Sequence, residues 1–516
     1  MQRSRQQVEI NMDELRRVLD KARQQPIEEA EYLKMKVALD VLAERLTLKR
    51  TTEKARAVVE QPQLVEATSK ATQDEQQGKA KGHGRNSAAD YAGARKIEIR
   101  HAKLACGDAC PECARGKVYT QRQPKTRVRI VGQAPVEATV FEMERLRCNA
   151  CGQVFTAEEP EGLGPDKYDA TATAMIAQLK YGSGMPFARL ERMEEQMGIP
   201  LPAATQWELA EQGAAVLKPA LDQLIWQAAQ GEVLHNDDTG MRILRLAREP
   251  SDKRTGVFTS GIVSLWQDRK IALFFTGRQH AGENLADLLA KRAEQMSSPI
   301  QMCDALSRNT PKVANGVKIL LANCMAHGRR QFTDVAANFP QECGFVLESL
   351  GMVYGNDALA REQDFDNEER LRFHQQYSGP LMDQLHSWLK EQLAGAKTEP
   401  NSGLGKAISY LLNHWQPLTL FLREKGAPLD NNLCERALKK AILNRKNAMF
   451  YKTPNGAWVG DLFMSLIHTC ELNGVNSFRY LTELLRHSAD VERAPADWMP
   501  WNYSETLARM ESPAAA

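Results

Sequence analysis

No run in the 516-residue chain approaches 18 apolar residues, so nothing in it reads as a membrane-spanning helix. The opening Met1-Gln2-Arg3-Ser4-Arg5-Gln6 leads into no apolar h-region of the kind a secretory leader needs. Both absences lead to the expectation of a soluble, cytoplasmic protein. Ten cysteines are too few for a disulfide scaffold at this length. Charge of one sign is missing overall, since the net charge is +2, and that balance argues neither for nor against a nucleic-acid partner. One local absence is sharper. After Glu435 no acid occurs before Asp461, while Arg436, Lys439, Lys440, Arg445, Lys446 and Lys452 all fall in between.

What is present divides the chain into several segments, and the length alone suggests roughly three or four domains. A hydrophobic content of 43% allows sizeable cores. Val8, Met12, Leu15 and Leu19, then Tyr32, Met35, Leu39, Leu42 and Leu46, recur at alternating spacings of three and four. These are a/d seams, open either to a helical hairpin within the chain or to dimerisation through a coiled coil. From Lys79 to Lys103 there are seven Lys or Arg against two acids, around Gly82-His83-Gly84-Arg85. This stretch cannot build a core and reads as a flexible basic linker, either a solvated tether or an arm on phosphates.

Two CxxC pairs follow, Cys110 with Cys113 and Cys148 with Cys151, separated by β-leaning runs at 126–131 and 137–141 that suit a hairpin. Four thiolates on two turn tips can converge on one tetrahedral zinc, which would be structural in so small a ribbon. Cys106 is a spare thiol. Next, a helix beginning at Phe187 is stopped by Gly198, and a second helix begins at Ala203. This outline fits a helix-turn-helix, but the second helix is poor in Arg and Lys, so an ordinary helical hairpin stands equally. Strands are expected at 233–236, 241–244, 257–266, 271–276, 300–304 and 318–325, a helix at 283–295, and about a hundred residues of helical pattern before Glu435. Such an order fits a ribonuclease-H-like α/β core interrupted by a helical insertion.

Asp237 and Asp304 close two of the strand-like runs, and Glu435 sits on the later helix. Two strand-borne aspartates and a helix-borne glutamate suit a pair of hard, oxygen-preferring cations such as Mg²⁺ or Mn²⁺, which clamp the attacking and leaving oxygens of a phosphodiester displacement. Adjacent residues on a strand face opposite ways, so only one of Asp237 and Asp238 can point at such ions. Cys324 and His327 also stand at metal-ligand spacing. With no partner ligand nearby in sequence, a metal pair there is set aside.

Gly82-His83-Gly84-Arg85, His235-Asn236-Asp237-Asp238-Thr239, Ala326-His327-Gly328-Arg329-Arg330-Gln331-Phe332 and Asp430-Asn431-Asn432 followed by Glu435-Arg436-Ala437 together resemble the insertion sequence 66 family of bacterial DDE transposases. The likeness runs over nearly the whole chain. It differs in carrying Asp238 where Glu is usual, Ala305-Leu306 after the second acid in place of Gly-Tyr, and Met325 in place of an aromatic.

The resemblance implies a transposase that binds the terminal inverted repeats of its element, hydrolyses a phosphodiester bond and joins the released 3′-hydroxyl to target DNA. It selects Asp237, Asp304 and Glu435 as the catalytic, metal-holding set. His327, Arg329, Arg330 and Arg85 become candidate DNA contacts, alongside Arg436, Lys439, Lys440, Arg445 and Lys446 from the basic run. A homodimer or higher oligomer and accessory proteins of the same element are further expected partners. A DNA-binding regulator with an inactive core and a nuclease that cuts without joining remain the competing readings. The expected organisation is a leucine-patterned segment (1–72), basic linker (73–104), zinc ribbon (105–160), helical DNA-binding segment (161–230), the first part of the core (231–335), a helical insertion (336–428), the core helix with Glu435 (429–470) and a C-terminal helical segment and tail (471–516).

Overall fold

A computed structural model describes residues 103–511, apart from 112, 114, 120–133, 148–153, 162, 163, 165, 248–253 and 314–316. The leucine-patterned segment and the linker with Arg85 lie outside the described residues. Contacts divide the chain into a small unit, 63–135, and a large one holding everything from Val136 onward.

The described part of the small unit is a tight reversal around Cys110 and Cys113. Ala109 bridges Lys117 in antiparallel fashion, and the Cys110 N–H donates to the Gly116 carbonyl at 2.8 Å. In the large unit, strands β1 (Arg145–Arg147) and β2 (Val154–Thr156) pair antiparallel. Of the hairpin expected from 126–131 and 137–141, the first arm lies outside the described residues; 137–141 are exposed and belong to no strand, and the described pairing falls on either side of the second CxxC. Cys148 and Cys151 themselves lie outside the described residues.

Helices α1 (Ala170–Ala177), α2 (Phe187–Gln196) and α3 (Ala203–Ala229) come next. Gly198 ends α2 at a φ of 78°, where a side chain would be strained, and the Ile199 N–H returns to the Glu194 carbonyl at 2.9 Å. The second helix of the expected helix-turn-helix runs on for 27 residues. Ala210, Ala214, Leu217, Leu221, Leu224 and Ala228 form its buried stripe in the main core, while Glu208 and Gln212 are exposed. An acidic, core-packed helix of this kind suits the plain helical hairpin.

The centre is a five-stranded mixed sheet of β3 (Val233–Gly240), β4 (Phe258–Trp266), β5 (Arg269–Gly277), β6 (Ile300–Cys303) and β7 (Leu320–Asn323), in the order β5-β4-β3-β6-β7. The first three run antiparallel in sequence, and β6 and β7 join β3 in parallel. Residues 241–244 are not a strand. Ile243 makes a single bridge to Tyr451 and packs in a small cluster with Ala457, so its partner is the chain beyond Glu435 rather than a sheet neighbour. Helix α4 (Ala281–Leu289) stops short of 295 because Arg292 donates to the carbonyls of Ala229, Gly231 and Ser297 and fixes a turn there.

Successive residues of β3 feed two cores. Leu234 joins a cluster with α3, and Val233 joins one with β6, β7 and the helices that follow. Those helices are α5 (Met325–Thr333), α6 (Pro340–Glu362), α7 (Asn367–Tyr377), α8 (Gly379–Ala394) and α9 (Gly403–Asn413). The single helical stretch read at 371–393 is two helices, because the Pro380 ring cannot continue a helix and starts the second one. Helix α10 (Asn432–Ala448) then crosses β3 and β4, and α11 (Pro454–Leu472) covers β5.

The β5 edge is sealed by side chains of α11 and the residue just past it. Asp461, Ser465, Thr469 and Asn473 accept the backbone N–H groups of Thr276, Phe274, Ala272 and Lys270 in turn. Four helical residues rise about 6 Å and two strand residues about 6.7 Å, so an i+4 polar stripe matches every second amide of an edge strand. Amides that would otherwise recruit another chain are thereby satisfied. Among the described residues, no helix is long and apolar enough to cross a membrane.

Candidate active site

Parallel pairing of β3 with β6 runs only from Val233 to His235 on β3, so Asp237 lies beyond it at the strand's carboxyl end. Asp304 directly follows β6, and Cys324 directly follows β7. Crevices outside the carboxyl ends of parallel strands are where open α/β sheets bind ligands.

One side chain ties the two aspartates together. The Asn309 amide nitrogen lies 2.5 Å from Asp304 Oδ1 and 3.3 Å from Asp237 Oδ1. Asn309 is held in turn by its carbonyl, which accepts from Asn236 Nδ2 at 2.8 Å and from Gln301 Nε2 at 2.7 Å. Burial raises the Asp237 carboxyl to about 6; the neighbouring Asp304 and Asp238 charges push the same way, against the Asp238 N–H and the Asn309 amide. Two acids held against each other in a half-buried crevice, with only an amide between them, suit a cation. Sequence reading missed Asn309; nothing in Ser307-Arg308-Asn309 distinguishes it from a loop.

Asp238 faces the other way. Its carboxylate is 2% exposed and meets His280 Nδ1 at 2.8 Å and Arg308 Nη2 at 3.6 Å. Of the two neighbours, then, Asp237 is the one that shares a partner with Asp304.

Glu435 arrives on α10, whose approach rests on a missing side chain. Gly261 pairs with Asp237 across β3 and β4, and a Cβ on it would sit 3.0 Å from Leu438 atoms. Cys434 donates to the Gly261 carbonyl at 3.2 Å, which presses the first turn of the helix onto the strand beside Asp237. Asn431 anchors the start of that helix. Its Oδ1 is 3.1 Å from His235 Nδ1, its Nδ2 donates to the Asn236 carbonyl at 3.1 Å, and its N–H points at Cys324 Sγ at 3.2 Å. Burial lowers the His235 imidazole to about 4, leaving it neutral and its Nδ1–H free to donate to that oxygen.

The carboxylates of Asp237, Asp304 and Glu435 do not all come within 4.8 Å of one another. Among the described residues, the group that does so is Cys324, His327 and Glu435. The partner that Cys324 and His327 lack in the local sequence is thus supplied across the fold by Glu435. Burial raises the Cys324 thiol to about 11.

The basic run of α10 divides in two. Lys440 pairs with Glu471 at 2.8 Å, and Arg445 donates to the Gly240 carbonyl and to Thr239 Oγ1. Arg436 and Lys439 instead line a cleft of about 300 Å³ with Asp430, Asn432, Glu435 and Arg361. Lys446 and Arg330 are exposed, and Arg329 is half-buried.

These motifs agree with a family model. The model of the Transposase IS66 family matches residues 167–458, which span the sheet, the helices inserted after it and α10. The chain belongs to the IS66 family of transposases. Two relatives from Sinorhizobium fredii, both named only as uncharacterized proteins, align with this family member. One, y4jD, is 28% identical over 378 residues, covering 70% of this chain and 71% of its own. The other, y4hP, is 26% identical over 388 residues, covering 71% and 68%. Membership makes DNA processing by transposition the general activity and DNA the partner.

Proposed function

We propose that this IS66 family member is a DDE-type transposase in which Asp237, Asp304 and Glu435 hold the divalent metal used for cutting and joining DNA. The observation that carries the reading is the Asn309 bridge, which fixes two aspartates at the ends of neighbouring parallel strands with no cationic side chain between them. The strand order β5-β4-β3-β6-β7, with three antiparallel strands followed by two parallel ones, supports a ribonuclease-H-like core.

When bound, Mg²⁺ or Mn²⁺ supplies a Lewis acid and an activated water or hydroxyl oxygen. The residues do the rest. Asn309 orients the two aspartates, and Asn431 and Gly261 set the helix that carries Glu435. Arg436 and Lys439 place positive charge along the cleft that Glu435 lines, where a phosphate backbone would lie.

We infer a structural zinc for Cys110, Cys113, Cys148 and Cys151. The Arg115 and Gly116 N–H groups and the Cys110 thiol point at Cys113 and hold its thiol below the ordinary value, as a thiolate knuckle requires. A cleavage and strand-transfer assay on element ends, with Asp304→Asn beside the wild type, tests the main reading. A transposase cuts and joins, and Asp304→Asn does neither. Binding without cutting would mark a regulator, and cutting without joining a nuclease.

A further inference from the structure

A second donor set shares Glu435. Cys324 closes the end of β7, His327 stands three residues on in the first turn of α5, and Glu435 comes from the first turn of α10. One sulfur, one imidazole nitrogen and one carboxylate oxygen from these residues lie within 4.8 Å of one another. An independent observation marks the space between them. His327 Nδ1 and Glu435 Oε1 stand 3.8 Å apart, and both atoms are buried with no hydrogen-bond partner. That separation is too long for a hydrogen bond, so two polar atoms face each other across a gap that neither fills. The sulfur is already treated as an acceptor, because the Asn431 N–H points at it from 3.2 Å.

We propose that Cys324, His327 and Glu435 form a second metal site, for a zinc-class divalent ion, and that occupation of this site draws Glu435 away from the two aspartates. The donor set chooses the ion. Thiolate with imidazole suits borderline-soft metals such as Zn²⁺ or Co²⁺, whereas Mg²⁺ takes oxygen ligands and gains little from sulfur. Three protein ligands leave a fourth position for water in a tetrahedral site. Metal–ligand bonds of about 2.0–2.3 Å place ligand atoms roughly 3.5 Å apart, so the three side chains need only close by small rotations. Binding forms a sulfur–metal bond and releases the Cys324 thiol proton to solvent, and no electron changes hands. His327 and Glu435 sit in the first turns of α5 and α10, so the ion would tie the two helices together. The binding half of the proposal stands alone, and the competition half rests on the role of Glu435 given above.

The test uses the full chain, loaded with Co²⁺ and freed of weakly held ion. Bound metal is counted by elemental analysis, and thiolate–cobalt charge-transfer absorption is followed in the wild type, Cys324→Ser, His327→Gln and Asp304→Asn. Any ion on the CxxC cysteines is common to all four. The wild type and Asp304→Asn should hold one more ion per chain than Cys324→Ser and His327→Gln, with a stronger charge-transfer band than Cys324→Ser. Equal counts in all four overturn the site; His327→Gln, altering a partly exposed side chain, decides if Cys324→Ser fails to melt cooperatively. Added Zn²⁺ should suppress Mg²⁺-dependent cleavage by the wild type, and full cleavage with the extra site filled overturns the competition. An Asp304→Asn protein that still cuts DNA would defeat the catalytic reading while leaving the metal count intact, so the two failures are distinguishable.

Discussion

Two acid-centred clusters in this protein have opposite electrostatics. In the helical segment after β7, Asp357 is 2% exposed and carries its own counter-charges: Arg370 at 2.5 Å, His374 at 3.2 Å, and Arg361 one turn along α6. Burial opposes its ionisation, yet His374 and the two arginines more than offset that and hold the carboxyl well below the usual range. At the strand ends, Asp237 is half-buried, and its carboxyl rises to about 6 because burial and the charges of Asp304 and Asp238 all oppose its ionisation. Burial alone therefore does not say what an acid is for. A compensated acid holds structure together, whereas acids gathered without compensation store a demand for a cation.

The largest expected effect comes from disturbing the uncompensated cluster. Asp304→Asn should lower strand cleavage by roughly a thousandfold or more, since a bound metal contributes several kcal/mol to such a transition state. Thermal melting of the metal-free protein should hold or rise, because one of two facing like charges is gone. A large loss of stability instead would erase the distinction between the clusters. Asp357→Asn should behave in the reverse sense. Removing one partner of a buried ion pair costs about 3–5 kcal/mol, so its urea midpoint should fall well below that of the wild type. A midpoint unchanged from the wild type would show that Arg370 and His374 do not depend on it.

Asp461 sharpens the comparison, as a buried acid with hydrogen-bond donors but no cation. Burial raises it to about 7 from 3.8, against the pull of the two Thr276 hydrogen bonds. The native state keeps this proton longer than the unfolded chain does, so the associated stability is full below the unfolded value. It is lost as pH rises through about 7. Denaturant titrations from pH 4 to 8 should show stability declining by about 1–3 kcal/mol from this group, and Asp461→Asn should flatten the slope. A slope identical in the variant would remove Asp461 as its source.

The smallest effect separates neighbours in the basic run. Lys439→Ala should reduce the salt dependence of DNA binding by about one unit of log–log slope. Lys440→Ala should leave the slope nearly unchanged, because Glu471 already occupies that ammonium at 2.8 Å. Anisotropy titrations across a salt series read both, and equal slopes for the two variants would dissolve the division.

Much of the central sheet was legible because its strands are largely apolar runs with β-branched residues, two of which lead into Asp237 and Asp304. Ile300 to Asp304 needed no more than local pattern, and the observed strand ends at Cys303. The exclusive facing of Asp237 or Asp238 also followed from the two-residue period of a strand. Residues 241–244 misled for the same reason, being apolar enough for a strand yet lacking a sheet neighbour. The unbroken basic run after Glu435 suggested an open cationic face, but the acid that occupies Lys440 lies on another helix. Asp461, Ser465, Thr469 and Asn473 do form an i+4 polar stripe in an apolar helix, a readable signal that was passed over.

By itself the sequence determined which segments alternate with period two and which carry an apolar stripe. It also placed Asp237 and Asp304 at strand ends and Glu435 on a helix, because backbone geometry imposes those periodicities within a few residues. Only the tertiary structure decided which groups meet. Asn309 came to bridge two aspartates, Gly261 let α10 close on β3, and Cys324 with His327 reached Glu435 across the intervening helices. Such meetings depend on how sheet and helices pack around shared cores, and packing couples residues by distance in space, which order along the chain does not encode.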